Sequence, residues 1–231
     1  MKLPISEEFS SIQGEGMFAG VPSYFMRTSG CNLRCWWCDT PYTSWKPEMK
    51  FADTVNVLER IKADGARHIV ITGGEPMLHV DAIRVLVRCC QGMEKIVTVE
   101  TNGTVPPGDI WPDLWSVSPK LASSTPSESL GKGERALHLR HIDAAPLKQF
   151  ETQGTRAQFK FVVVTAEDMD EVEKMVASHG LKRSNVWLMP EGRTANEVMG
   201  KARWVVEECK ARGFNLSMRV HTLLWGAKRG V

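Results

Sequence analysis

The chain has 231 residues, 42% of them hydrophobic and 24% charged, the balance of a globular protein long enough to bury a sizeable core. Its formal net charge of +2 is too small to argue for a nucleic-acid partner or an acidic membrane surface, and no apolar run approaches the ~20 residues needed to span a bilayer. Residues 1–8 carry no apolar signal-peptide core, and six cysteines in a chain of this length do not make a disulfide framework; both predict a reducing, cytoplasmic setting.

Residues 9–16, Phe-Ser-Ser-Ile-Gln-Gly-Glu-Gly, are polar and glycine-rich and read as a loop that presents Glu15. Ser23–Ser29 reads as a first strand, with Arg27 a charge that an exposed strand end would explain. Gly30 releases the chain into a cysteine-rich loop. A helix is predicted over Asp53–Asp64, with Asp53 as N-cap and Gly65 at its end. His68–Thr72 is a buried-type strand, followed by Gly-Gly-Glu-Pro. Val80–Gln91 is the next helix. Strands over Lys95–Val99 and Leu114–Val117 end in Glu-Thr-Asn-Gly and Ser-Pro-Lys. Residues 121–135, rich in Ser, Gly, Pro and charge, read as a long irregular loop. Ile142–Phe150 reads as a short helix, Gln158–Val164 as a fifth strand, Glu167–Ser178 as a helix stopped near Gly180, and Val186–Met189 as a sixth strand ending in Pro-Glu-Gly. Asn196–Arg212 is a long amphipathic helix, and Asn215–Trp225 closes the chain as a strand and tail.

No repeat, low-complexity segment or linker divides residues 1–231, so a single domain is expected. Alternating strands and helices predict an α/β fold with a parallel sheet. About six parallel strands, with every polar signature just after a strand's C-terminal end, predict an incomplete TIM-type barrel with its site on that face.

Cys31, Cys35 and Cys38 fall within eight residues. Structural zinc wants four ligands in a closed tetrahedron, whereas three thiolates suit a four-iron cluster with one iron left open for chemistry. A zinc knuckle with His68 or His79 as fourth ligand is the competing reading of the spacing. Thr72-Gly73-Gly74-Glu75-Pro76 can be an ordinary strand-to-helix turn, or a backbone edge that a ligand approaches closely.

Cys-x-x-x-Cys-x-x-Cys followed some forty residues later by Gly-Gly-Glu-Pro resembles the signature of the radical S-adenosylmethionine (SAM) enzymes. Phe-Ser-x-x-Gln-Gly-Glu-Gly, an arginine-bearing strand, the cysteines running into Asp39-Thr40, Glu100-Thr101-Asn102-Gly103, Ser118-Pro119-Lys120 and a terminal His221…Trp225 together resemble the 7-carboxy-7-deazaguanine synthase family. The resemblance spans almost the whole chain. It implies a lyase of queuosine and deazapurine biosynthesis that converts 6-carboxy-5,6,7,8-tetrahydropterin to 7-carboxy-7-deazaguanine with loss of ammonia. A 5′-deoxyadenosyl radical would abstract a substrate hydrogen and SAM would be regenerated.

The resemblance also implies roles. Cys31, Cys35 and Cys38 would hold a [4Fe-4S] cluster; Gly73, Gly74, Glu75, Ser118 and Lys120 would bind SAM; and Trp37 would meet its adenine, with plain packing as the alternative. Thr40 would ligate Mg2+, with a simple turn before Pro41 as the alternative. Gln13, Gly14, Glu15, Arg27, Thr72, Glu100 and His221 would bind substrate: a carboxylate such as Glu15 or Glu100 suits the pterin's donor edge, and Arg27 suits its carboxylate. The tail lacks the basic residue that directly follows the histidine in many members. Expected partners are the small-molecule pterin, an electron donor such as flavodoxin or ferredoxin, and a second copy in a homodimer joined through the tail and the uncovered sheet edge. A compact activase that takes hydrogen from a glycine of another protein is the alternative activity. The loop 13–16 with Arg27 argues against it, because a protein-substrate enzyme has no need of them.

Overall fold

The N-terminal strand, β1 (Lys2–Ile12), is longer than its polar composition suggests. In the computed structural model, which describes residues 1–130 and 132–231, Leu3 and Ile5 are buried and Phe9 stacks on Phe25 with ring centroids 5.0 Å apart. The expectation of a loop from residue 9 is therefore corrected. Residues 9–12 pair antiparallel with β2 (Pro22–Thr28), Phe9 opposite Phe25 and Ile12 opposite Pro22, and the loop begins at Gln13. Pairing satisfies the backbone groups that a polar stretch would otherwise leave to water.

Beyond β1 and its other neighbour, β3 (Lys50–Asp53), the sheet is parallel. β2, β4 (His68–Gly73), β5 (Ile96–Thr101), β6 (Leu114–Val117), β7 (Ala157–Val163), β8 (Val186–Pro190) and the two-residue β9 (Asn215–Leu216) lie side by side in that order. These are the six expected strands plus β9, and they form an α/β incomplete barrel.

Among the described residues the helices are α1 (Pro41–Ser44), α2 (Thr54–Asp64), α3 (Val80–Gly92), α4 (Lys132–Asp143), α5 (Leu147–Thr152), α6 (Asp168–His179), α7 (Ala195–Arg212) and α8 (Val220–Trp225). Asp53 caps α2 by accepting from Val55 N at 3.2 Å. α7 opens on a capping box between Thr194 and Glu197. α3 turns Ala82, Ile83, Leu86, Val87 and Cys90 onto the sheet; each large apolar side chain buried this way contributes ~1.5–3 kcal/mol before entropy is counted.

Three further expectations change. The stretch 121–135 contains short 3-10 turns at Ala122–Ser124 and Glu128–Leu130 and is already helical from Lys132; Gly131, inside it, lies outside the described residues. The helix expected over Ile142–Phe150 is two helices, because Pro146 cannot continue α4 and disfavours helical dihedrals at the residue before it. The closing segment is strand only at Asn215–Leu216; from Val220 it is helix, tied back by a Val220 N to Gly14 O hydrogen bond of 2.9 Å.

Strand alternation decides what faces the barrel's inside. On β7, Phe159, Phe161 and Val163 enter the core beneath the helices, whereas Lys160 and Val162 line a cavity on the opposite face. The register carries polar residues across neighbouring strands: Arg27 lies opposite Thr72, Glu100 opposite Ser116, and Ser116 opposite Gln158.

Candidate active site

One cavity of about 290 Å³ opens at the C-terminal ends of the parallel strands. Gln13, Gly14, Glu15, Arg27, Cys31, Cys35, Trp37, Cys38, Thr40, Thr72, Gly73, Gly74, Glu100, Ser118, Lys120 and His221 all line it. The structure thus brings together every residue singled out from the sequence except Glu75.

The cysteine loop leaves β2 through Gly30 and is held from four sides. Arg34 donates to Cys31 O at 2.7 Å and Leu33 O at 2.8 Å, Trp45 Nε1 donates to Cys35 O at 3.1 Å, and Arg193 donates to Cys38 O at 2.9 Å. From α4, Leu139 and Ile142 pack against Leu33 and the cysteines, and His138 accepts from Arg34 N at 3.1 Å. Burial pushes the free Cys31 thiol up to about 12 and Cys35 up to about 11, so loading a metal there releases protons. Among the described residues no three Cys, His, Asp or Glu side chains converge on one ion-sized point. A four-iron cube takes each thiolate on a separate iron, which suits thiols spread around a wall. The zinc alternative loses its fourth ligand: both ring nitrogens of buried His68 are engaged, at 2.7 Å by Ser23 and 2.8 Å by Thr98, and the His79 ring lies against Ser29 O.

Gly73 and Gly74 are explained by the chain itself. A Cβ at Gly73 would collide with Thr28, and one at Gly74 with Gly30 O and Thr43 O. The close approach lets Gly74 N bond Thr28 O at 3.2 Å and Glu75 N bond Gly30 O at 2.9 Å, fixing the loop's exit against β4. Glu75 stands back from the cavity, fully buried. Its carboxylate accepts from Met77 N at 2.9 Å, Thr101 Oγ1 at 2.7 Å and Asn102 N at 2.6 Å. Glu75, expected to bind SAM, lies behind the cavity lining, where its oxygens brace the Thr101–Asn102 turn; the Asn102 side-chain amide lies 3.9 Å from Cys31 Sγ.

Along the same wall Lys120 bonds Ser118 Oγ at 2.7 Å and lies 5.7 Å from the Trp37 ring centre. Trp37 Nε1 is buried without a hydrogen-bond partner. A buried donor left unpaired beside three thiols fits a wall completed by a polar ligand such as SAM. Thr40, ahead of α1, lies with its hydroxyl 3.8 Å from Cys38 Sγ and 3.4 Å from Thr43 Oγ1.

The opposite end of the cavity is charged. Arg27, 18% exposed, is no loose strand end: its Nε donates to Glu7 at 2.7 Å. Glu100 accepts from Gln13 Nε2 at 3.1 Å and Thr72 Oγ1 at 2.8 Å. Glu15 accepts from Lys160 Nζ at 2.7 Å and Arg219 Nε at 3.3 Å. Burial works against ionisation of Glu15, but these two cations outweigh it and hold the carboxyl well below its usual range. Arg219 also reaches Gly192 O at 2.5 Å and pairs with Asp39; against the effect of burial, it holds Asp39 below the usual range as well. Burial pushes His221 down, and its ring packs where a Cβ on Gly14 would sit.

Lys160, Arg219 and Asp39 were not foreseen. The Gln158-Phe-Lys160-Phe alternation carries the period-2 signal that marks Lys160 as inward-facing. Arg219 lies two residues before His221 in the same segment, a basic group that no motif marks.

Comparison with known proteins gives the family. The Radical SAM superfamily profile matches residues 25–117. A 7-carboxy-7-deazaguanine synthase from Halobacterium salinarum is 42% identical over 96% of this chain and 90% of its own. The chain belongs to the 7-carboxy-7-deazaguanine synthase family. A second synthase, from Rhodopirellula baltica, is 38% identical over 99% of this chain and 88% of its own. The crystal structure of QueE from Escherichia coli superimposes with a TM-score of 0.66 at 28% identity, covering 96% of this chain and 95% of that one. As a radical SAM enzyme of the 7-carboxy-7-deazaguanine synthase family, the chain uses a [4Fe-4S] cluster and SAM.

Proposed function

We propose that the protein is a 7-carboxy-7-deazaguanine synthase, a carbon–nitrogen lyase acting on 6-carboxy-5,6,7,8-tetrahydropterin with loss of ammonia, for queuosine or other deazapurine synthesis. The observation that carries this reading is the pairing, in one cavity, of three clustered thiols with an Arg27 and Glu100 set suited to a carboxylated pterin. When bound, the cluster and SAM supply the radical that removes a substrate hydrogen.

The chain's own residues bind and orient. Cys31, Cys35 and Cys38 hold the cluster. The Gly73–Gly74 backbone, Ser118, Lys120 and Trp37 form the SAM wall, with Glu75 positioning it from behind. Arg27, one nitrogen committed to Glu7, offers its terminal nitrogens to the substrate carboxylate as a fork. Glu15, Glu100, Gln13 and Thr72 take the pterin's donor edge. His221, neutral by burial, adds a hydrogen bond from the tail. Residues 226–231 line the cavity mouth, pinned by Arg229 to Glu7 and Glu48, and shield the reaction from water.

Thr40 is proposed to hold Mg2+, an oxygen-seeking ion that would help bind the carboxylated substrate. Residues 1–231 act as one domain in a reducing, cytoplasmic setting; no helix among the described residues is long and apolar enough to cross a membrane. A flavodoxin or ferredoxin is the proposed reductant. A homodimer is proposed through exposed Leu224 and Trp225 with the β9 edge, and elution as a monomer on gel filtration contradicts it. Anaerobic incubation of cluster-loaded protein with SAM, Mg2+, reductant and 6-carboxytetrahydropterin tests the activity. Mass-spectrometric detection of 7-carboxy-7-deazaguanine supports it. Formation of 5′-deoxyadenosine alone moves the substrate elsewhere.

A further inference from the structure

Lys160 is, among the described residues, the buried cation within ion-pair distance of both Glu15 and Glu100; buried Arg219 reaches Glu15 and Asp39 instead. It lies at the centre of β7, 3% exposed, with Glu15 from the loop after β1 at 2.7 Å and Glu100 from β5 at 3.6 Å. Arg219 and His221 face Glu15 from the C-terminal segment, and Asp39 faces Arg219 from the cysteine loop. Gln13 and Thr72 fix Glu100 from its other sides. A lysine is almost never buried without a partner, and here its two partners are the two acidic residues proposed to read the substrate. Its chain neighbours Phe159 and Phe161 enter the core, whereas Lys160 turns to the cavity and takes no part in the core's packing.

We infer that Lys160 is a positioning residue for specificity: its ammonium, shared between Glu15 and Glu100, holds the two carboxylates side by side as a charged acceptor edge selective for ligands with a guanidine-like donor edge. The inference rests on the proposed roles of Glu15 and Glu100 and deepens them. Two carboxylates sharing one site disfavour each other's ionisation unless a cation lies between them; Arg219 reaches Glu15 but not Glu100, so among the described residues only Lys160 lies within ion-pair distance of both. A protonated carboxyl donates where the substrate also donates, and the edge is lost. The ammonium therefore makes substrate recognition insensitive to pH over the neutral range, although acidic groups do the reading.

The test is equilibrium binding of 6-carboxy-5,6,7,8-tetrahydropterin to cluster-loaded enzyme with SAM and no reductant, so that no turnover occurs. Lys160→Met is expected to bind substrate progressively more weakly as pH falls from about 8 to about 6, by up to about tenfold per unit. Lys160→Arg keeps the charge and is expected to show the flat profile of the wild type. SAM affinity and iron content should be unchanged in both. Equal weakening by Met and Arg with no pH dependence, or no weakening by either, overturns the inference. Should Lys160→Met fail to fold, Lys160→Gln takes its place in the same titration and is expected to show the same weakening as pH falls; a flat profile overturns the inference. Glu15→Gln and Glu100→Gln run in parallel. If neither weakens substrate, the reading of the site itself falls. If they do and Lys160→Met does not, only the role of Lys160 falls.

Discussion

Arg27 and Glu7 face each other across the antiparallel pair of β1 and β2, with Arg27 Nε 2.7 Å from Glu7 Oε1. The same carboxylate accepts from Tyr42 at 2.8 Å and, through its other oxygen, from Arg229 at 2.8 Å. Against the effect of burial, these donors hold Glu7 below its usual range. Glu7 thus orients the Arg27 fork and ties the tail to the wall that Arg27 belongs to. Arg27→Ala should leave the cluster intact and weaken binding of 6-carboxytetrahydropterin by ~2–5 kcal/mol, the cost of truncating one partner of a buried charged pair. Calorimetric titration showing unchanged affinity removes Arg27 from the substrate site.

Cys35→Ala leaves two thiols where three irons need anchoring. Iron and sulfide content should fall to background after anaerobic reconstitution, and 5′-deoxyadenosine formation should vanish. SAM cleavage that survives the substitution contradicts the cluster assignment.

The barrel strands were legible because each reads as a run with turn signals at its end, and the face of the site followed from where those turns lie. β1 was not, because its serines and glutamates hide a strand held by pairing and by the Phe9–Phe25 stack. The cysteines, Arg27 and Glu100 were legible as motif positions. Lys160 and Arg219 were not, because their meaning lies in partners 145 and 204 residues away. The surroundings of Glu75 were hidden for a related reason: a motif shows that an acid is needed, and only the fold shows that its oxygens turn inward onto Asn102.

Arg219 joins the loop of Glu15, the cysteine loop through Asp39 and the β8 loop through Gly192 O. Arg219→Ala should destabilise the cluster-free protein by ~3 kcal/mol, the low end for breaking a buried ion pair, because Glu15 keeps Lys160. A denaturant midpoint equal to wild type contradicts this.

His138 is buried, accepts from Arg34 N at 3.1 Å and so carries its proton on Nε2, 2.9 Å from Ser124 Oγ. Burial, aided by nearby cations, lowers it from 6.5 to about 4. Above the unfolded value the ring is neutral in both states and titration adds nothing. As pH falls from about 6.5 to about 4 the unfolded chain takes up a proton that the folded ring refuses, and stability on the order of 3 kcal/mol is lost. Thermal unfolding of the cluster-free protein should show this acid slope, and His138→Gln should flatten it; an equal slope in both proteins assigns the acid loss to other groups.

The most direct test of the account is the ratio of product to SAM. Cluster-loaded enzyme is given limiting SAM, excess 6-carboxytetrahydropterin, Mg2+ and reductant without oxygen. The account predicts 7-carboxy-7-deazaguanine in molar excess over the SAM supplied, with SAM recovered at the end. SAM consumed to 5′-deoxyadenosine with no deazaguanine formed contradicts it.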